Sequence, residues 1–236
     1  MSGKARASAI IVAAGEGLRM GGVSKPLIKL GGKAVITLVA EAFSECESVD
    51  EIVIVTKREE DYDGLLPKNK KLIFAPGGES RAISVSNGVS LSSGEIICLH
   101  DCARPFVTPF IIEAVISAAR VHGAASAFCK SKDTLRYRDE KEGCIYTPKR
   151  ENMLAVQTPQ AFRRDIYLAL RAVSQKALLP GLDEAGMAEE AGFRVEYVEN
   201  SSLNIKLTDA GDVKVAKAIA FLWERGEISF EDWPRL

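Results

Sequence analysis

Short apolar runs alternate along the chain with segments whose apolar positions recur at helical spacing. Ala7–Ala14, Glu51–Thr56, Lys71–Ala75, Glu95–His100 and Ala124–Cys129 read as strands, several of them bounded by Gly, Pro or Asp. Between them, Ile36–Glu45, Ser80–Leu91 and Pro109–His122 read as helices. In the last, Ile111, Ile112, Val115, Ile116 and Ala119 share one face. Thr108 before Pro109 supplies the favoured N-cap and first helical residue. Strands alternating with helices predict the α/β class, with a mostly parallel sheet flanked by helices on both faces. Ligands of such sheets sit beyond the carboxyl ends of the strands.

The rhythm changes between about 130 and 150. Thr134–Arg138 and Cys144–Thr147 flank the polar stretch Asp139–Gly143, which predicts a β-hairpin rather than another βα unit. A hairpin is marginal by itself, so this protruding arm is expected to pack against something, a second subunit being the natural choice. Beyond it, Phe162–Ser174, Asp183–Ala191 and Asp209–Arg225 read as helices and Arg194–Val198 as a strand. With no repeat or linker, the chain reads as a single domain, residues 1–236, with an arm at about 130–150.

The 236 residues include 47% hydrophobic and 27% charged positions, an ordinary soluble composition. Lys plus Arg number 31 against 32 acids. That balance gives no global field for nucleic acid or an anionic membrane, while leaving room for a local basic pocket. No stretch approaches the roughly 20 apolar residues of a membrane helix. Lys4 and Arg6 before Ala7–Ala14 imitate a signal peptide, but the run is brief and passes into Gly15-Glu16-Gly17, so it reads as a buried first strand. Cysteines 46, 98, 102, 129 and 144 form no C-x-x-C pair and suit reduced thiols in the cytoplasm. The Cys98–Cys102 stretch matches no usual zinc spacing.

The first loop, Ala13 to Gly22 followed by Ser24-Lys25-Pro26, is glycine-rich, a composition that lets backbone N–H groups approach phosphate oxygens. A dinucleotide fingerprint would need glycine at Met20, and a P-loop would need Ser or Thr at Ala34, so neither NAD binding nor P-loop ATP hydrolysis is expected. Instead the loop offers Arg19 for planar multi-oxygen contacts and Lys25 as a mobile point charge.

This loop resembles the signature of nucleotidyltransferases. Gly77–Gly88, His100–Pro105, Asp133-Thr134, Gln157–Gln160, Asp183–Ala185 and Asn204–Lys206 follow in an order similar to the 2-C-methyl-D-erythritol 4-phosphate cytidylyltransferase family, over about Ile10 to Ala216. The resemblance implies a Rossmann-like nucleotidyltransferase sheet and cytidylyl transfer from CTP to a small polyol phosphate, releasing pyrophosphate. It also implies site roles. Arg19 and Lys25 would hold the triphosphate, and with Asp101 and Lys206 they form the expected catalytic set. Ala13, Ala14, Gly15, Gly17, Gly78, Glu79 and Ser84 would bind CTP, with Arg81 supporting that loop. Asp101 would help to hold Mg²⁺. Arg104, Thr134, Arg150, Thr158 and Lys206 would surround the acceptor, Thr134 and Arg150 coming from an arm that reaches into the partner of a homodimer.

The chemistry suits these residues. A phosphate monoester is mostly dianionic near neutral pH, its second pKa being about 6, so it needs no general base. The difficulty is one anion attacking another, which cations and backbone donors relieve. His100 accordingly reads as a hydrogen-bonding residue at a strand end rather than a catalyst. Pro26 after Lys25, Cys102, Leu182 and Leu203 depart from the family pattern. The rivals are a ribitol 5-phosphate cytidylyltransferase, differing only in acceptor, and a non-catalytic nucleotide-binding module on the same fold.

Overall fold

The computed structural model describes residues 6–15, 24–139, 143–177 and 182–229. Its seven-stranded sheet is built from β1 (Ala7–Val12), β4 (Val49–Thr56), β5 (Lys71–Pro76), β6 (Ile96–Asp101), β7 (Ala124–Lys130), β10 (Leu154–Arg163) and β11 (Glu196–Glu199), in the order β11-β7-β10-β6-β1-β4-β5. Two small antiparallel ribbons stand apart from it: β2 (Lys29–Leu30) with β3 (Lys33–Ala34), and β8 (Tyr137–Asp139) with β9 (Cys144–Tyr146). The helices are α1 (Val35–Glu45), α2 (Arg81–Leu91), α3 (Pro109–His122), α4 (Arg164–Ala177), α5 (Glu184–Glu190) and α6 (Ala210–Glu224).

Period-two alternation divides the core. In β1, Ala7, Ala9 and Ile11 pack on one face with α1, α3 and α6, while Ile10 points to the other with α2, α4 and α5. Adjacent β6 repeats this, Ile96 and Cys98 against Ile97 and Leu99. Helix α2 can lie close to the sheet because residue 88 is glycine. A Cβ there would meet Ile10 Cγ2 at 2.6 Å and Val55 Cγ2 at 2.7 Å. The expected N-cap is formed, the Thr108 hydroxyl accepting from the Ile111 N–H at 3.4 Å.

The pairings β1–β4, β1–β6, β4–β5 and β7–β11 are parallel, as the alternation predicts, but β10 runs antiparallel to both neighbours. This ten-residue strand is absent from the sequence reading, which also began a helix at Phe162. Phe162 and Arg163 are the end of β10, and the helix starts at Arg164. The reason is chemical. Gln157, Thr158 and Gln160 are buried in β10, and a polar run with proline reads as loop until its hydrogen-bond partners are known. The arm is a hairpin as expected, shorter than its predicted bounds; residues 140–142 of its turn lie outside the described residues. Among the described residues no helix is long and apolar enough to cross a membrane.

The chain from β1 crosses to β4 on one side, and β6 lies on the other. The carboxyl ends of β1 and β6, with Val12 beside Asp101, therefore form a switch point where an open α/β sheet takes its ligand.

Candidate active site

A cleft of about 430 Å³ opens at that point. Ala13, Ala14 and Gly15 reach it from the end of β1, Lys25 and Pro26 from the following turn, Gly78 to Ser84 from the start of α2, Asp101 to Ala103 from the end of β6, and Lys206 from the segment before α6. Thus the sequence-predicted residues Ala13, Ala14, Gly15, Lys25, Gly78, Glu79, Arg81, Ser84, Asp101 and Lys206 share one cavity. Arg19 and Gly17 lie outside the described residues.

The floor of the cleft is a line of alternating charges. Lys206 Nζ donates to Asp101 Oδ2 at 2.6 Å, and Arg81 Nε donates to Asp101 Oδ1 at 3.0 Å. Arg81 Nη1 then donates to both oxygens of Glu184, at 2.9 and 2.6 Å. Burial by itself would raise the Asp101 carboxyl, but Arg81 and Lys206 outweigh it and hold it far below the usual carboxylate range. For Arg81 burial opposes the charge, and Glu184 and Asp101 overcome it, raising the guanidinium above its ordinary value. Arg81, expected among the CTP-binding residues as a support of that loop, lines the cleft, and its hydrogen bonds tie α2 to β6 and α5.

The loop is closed by Ser84, whose hydroxyl accepts from Gly78 N–H at 3.0 Å and donates to the Ser80 carbonyl at 2.9 Å. A Cβ on Gly78 would meet Ile83 Cγ2 at 2.3 Å. Lys25 donates to the Leu207 carbonyl at 2.7 Å, fastening the turn after the glycine loop to the segment that carries Lys206. Lys57, at the end of β4, also lines the cleft. Sequence reasoning missed it, although a lysine directly after a strand that pairs with β1 stands where ligands gather.

Arg104 and Thr158 lie just below the cleft. Arg104 Nη1 donates to the Asn204 carbonyl at 2.8 Å, and burial lowers the guanidinium's pKa. The Thr158 hydroxyl accepts from the Asp101 N–H at 3.2 Å and contacts His100 Nδ1 at 3.0 Å. Beneath them Gln157, Gln160 and Asn204 form a buried amide scaffold. Asn204 Nδ2 donates to Gln157 Oε1 and the Thr158 carbonyl, and Gln160 Nε2 reaches Asp183 Oδ2, the cap of α5, at 2.7 Å. Thr134 and Arg150 do not line the cleft of their own chain. Both are exposed on the arm, where Arg150 Nη1 donates to the Lys132 carbonyl at 3.4 Å. Cys98 and Cys102 are packed as small apolar side chains, burial pushing both thiols up.

The family profile of 2-C-methyl-D-erythritol 4-phosphate cytidylyltransferase matches residues 7–221. The chain belongs to this family. Among its relatives, the cytidylyltransferase of that name from Caldanaerobacter subterraneus is 37% identical over 219 residues, covering 89% of this chain and 96% of that one. The one from Clostridium botulinum is 39% identical over 220 residues, covering 90% and 96%. In three dimensions the chain is similar to the 4-diphosphocytidyl-2C-methyl-D-erythritol synthase of Anaerococcus prevotii, with TM-score 0.82, 27% identity, and 91% and 96% of the two chains covered. The Thermus thermophilus 2-C-methyl-D-erythritol 4-phosphate cytidylyltransferase superposes with TM-score 0.75 and 28% identity over 92% and 99%. The seven-stranded sheet flanked by helices is thus that of the family's nucleotidyltransferases.

Proposed function

We propose that this member of the family transfers the cytidylyl group of CTP to 2-C-methyl-D-erythritol 4-phosphate, giving 4-diphosphocytidyl-2-C-methyl-D-erythritol and pyrophosphate. The observation that carries the reading is the cleft itself, in which Arg81 and Lys206 hold Asp101 and Lys25 lines the same wall beside the backbone of Gly15 and Gly78. The names of the relatives favour methylerythritol phosphate over ribitol phosphate.

In this reading the acceptor's phosphate oxygen attacks the α-phosphorus of CTP and pyrophosphate leaves. No base is needed, because the attacking monoester is already ionised near neutral pH. The chain's task is to let two anions meet. Lys25 and Lys206, joined by Arg19 as the family resemblance implies, would place positive charge around the reacting phosphorus, where fixed dipoles and cations in a shielded cleft act most strongly. Lys206 starts bound to Asp101 and Lys25 to the Leu207 carbonyl, so both are held at the cleft before the phosphates arrive. Ala13, Ala14, Gly78, Glu79 and Ser84 form the nucleotide side. Arg104, Thr158 and Lys206 form the acceptor side.

Mg²⁺ fits the donor set. This ion is commonly bound by one or two carboxylates together with substrate phosphates, and Asp101, which lines the cleft and is kept ionised by Arg81 and Lys206, would supply the carboxylate. When bound, the ion would neutralise triphosphate charge.

The exposed Tyr137, Ile145 and Tyr146 give the arm an apolar surface, with the two tyrosine rings stacked at 6.3 Å. A homodimer in which each arm covers the partner's cleft would bury this surface and bring Thr134 and Arg150 to the acceptor. The protein would then act as a cytoplasmic dimer.

Phosphorus NMR of the protein with CTP, Mg²⁺ and 2-C-methyl-D-erythritol 4-phosphate tests the reading. Diphosphate diester and pyrophosphate resonances should grow together. Their appearance only with ribitol 5-phosphate would move the protein to the rival acceptor, and their absence with both, in protein that binds CTP, would favour the non-catalytic module.

A further inference from the structure

We propose that His100 is a positioning residue for the acceptor side of the cleft, acting through Thr158 and the turn 101–104. Its kinetic consequences rest on the transfer reading above; its hydrogen bonding does not. His100 is fully buried near the end of β6, with its ring 5.3 Å from that of Phe43.

Its partners fix where its proton lies. Nε2 is 3.1 Å from the Arg104 carbonyl, which can only accept, so Nε2 carries hydrogen. In the neutral ring Nδ1 is then bare and must accept, and its neighbour at 3.0 Å is the Thr158 hydroxyl. Thr158 therefore spends its single proton on His100, and its oxygen accepts the Asp101 N–H at 3.2 Å. The hydrogen bonds run in one direction, from the Asp101 amide through the Thr158 hydroxyl and the imidazole to the Arg104 carbonyl.

That direction assigns a role to each member. The turn from Asp101 to Arg104 presents a carboxylate at one end and a guanidinium at the other. It is closed by Arg104 N–H to the Asp101 carbonyl at 2.9 Å and fastened by Cys102 N–H to Val12 and Leu207 N–H to Ala103. His100 lies under this turn and holds both ends, one directly and one through Thr158. Thr158 has no proton left for an acceptor phosphate, so it serves the acceptor by holding Asp101.

Two experiments decide this. The chain has only two histidines, and His122 is exposed, so nitrogen-15 NMR of the whole protein gives two readily separated rings. At neutral pH His100 should show a protonated Nε2 and a bare Nδ1; the opposite tautomer or a doubly protonated ring overturns the proposal.

Steady-state kinetics then compare Thr158→Val, Thr158→Ser, His100→Gln and the double variant His100→Gln/Thr158→Val. Thr158→Val and His100→Gln should each raise the acceptor KM by about tenfold, the equivalent of one lost hydrogen bond. CTP affinity, titrated directly, should stay within about twofold of the parent. Thr158→Ser, which keeps the hydroxyl, should recover most of the loss seen in Thr158→Val, and the double variant should be no worse than either single one. Should His100→Gln not fold, the valine and serine variants suffice. Equal losses for Thr158→Val and Thr158→Ser, no loss for Thr158→Val, or multiplying losses in the double variant would overturn the proposal. A parent protein silent toward every acceptor would refute the transfer reading instead, and the ring spectrum would then decide the hydrogen-bond assignment alone.

Discussion

Replacing Arg81 by methionine would expose how the floor of the cleft is held. Glu184 is 1% exposed, and both its oxygens take their hydrogen bonds from Arg81 Nη1. Methionine leaves that carboxylate buried without its cation, whereas Asp101 keeps Lys206 at 2.6 Å. Breaking a buried ion pair from one side costs about 3–5 kcal/mol, most of it the penalty of the stranded charge. With a urea slope of about 3 kcal/mol per molar for a chain of this size, the unfolding midpoint should fall by roughly 1–2 M. Arg81→Met/Glu184→Met removes the stranded charge as well, and apolar replacement of a whole buried pair is often neutral. The double variant should therefore regain about 2 kcal/mol or more, yet remain slow, because Asp101 has lost one of the two cations that orient it. Urea denaturation of the parent, both single variants and the double variant completes the cycle. A loss below about 1 kcal/mol in Arg81→Met, or double-variant losses that simply add, would refute the reasoning.

Three other outcomes follow from particular contacts. Glu51, buried near the start of β4 among Ser8, Ser93 and Lys71, has its carboxyl lowered to about 2: burial would raise it, and these hydrogen bonds outweigh that. Its contribution to stability is therefore whole above about pH 4.5 and drains away as pH falls toward 2. Glu51→Gln should accordingly flatten the acid limb of the stability curve measured by denaturant titration. Gly78→Ala, whose Cβ would strike Ile83, should weaken CTP binding by at least about tenfold in calorimetry, with little change in thermal midpoint, since the loop is at the surface. If the proposed homodimer shares its sites, mixing Lys25→Ala and Arg150→Ala proteins should restore about a quarter of parent activity after subunit exchange, because half the dimers would be mixed and each would have one intact site. No recovery would place Arg150 outside the partner's cleft.

Most of the framework was legible in the chain. β1, β4, β6 and β7 are apolar runs buried on both faces, the pattern parallel strands impose, and Thr108-Pro109 marked the start of α3. Gly15, Gly78 and Asp101 do stand near strand ends, as the topology of such a sheet leads one to expect. What stayed hidden depends on long-range pairing. β10 carries Gln157, Thr158 and Gln160 into the core, and nothing local shows that Asn204, His100 and Asp183 wait there to satisfy them. Glu184 lies in a stretch read only as a helix and a piece of the family pattern, and its role stayed hidden for the same reason, since its partner lies 103 residues away. Lys57 carried no motif. Thr134 and Arg150 were named only through the family resemblance, and their exposed places on the arm fit a site completed by a second chain.

Cytidylyl transfer in this cleft is open to direct measurement. Pyrophosphate release from CTP, with Mg²⁺ and 2-C-methyl-D-erythritol 4-phosphate, should be measured for the parent and for Lys25→Ala at saturating substrates. The account predicts acceptor-dependent turnover in the parent and a loss on the order of 10²–10³ in the folded variant, by analogy with removing one oxyanion donor. A loss under about tenfold would contradict it.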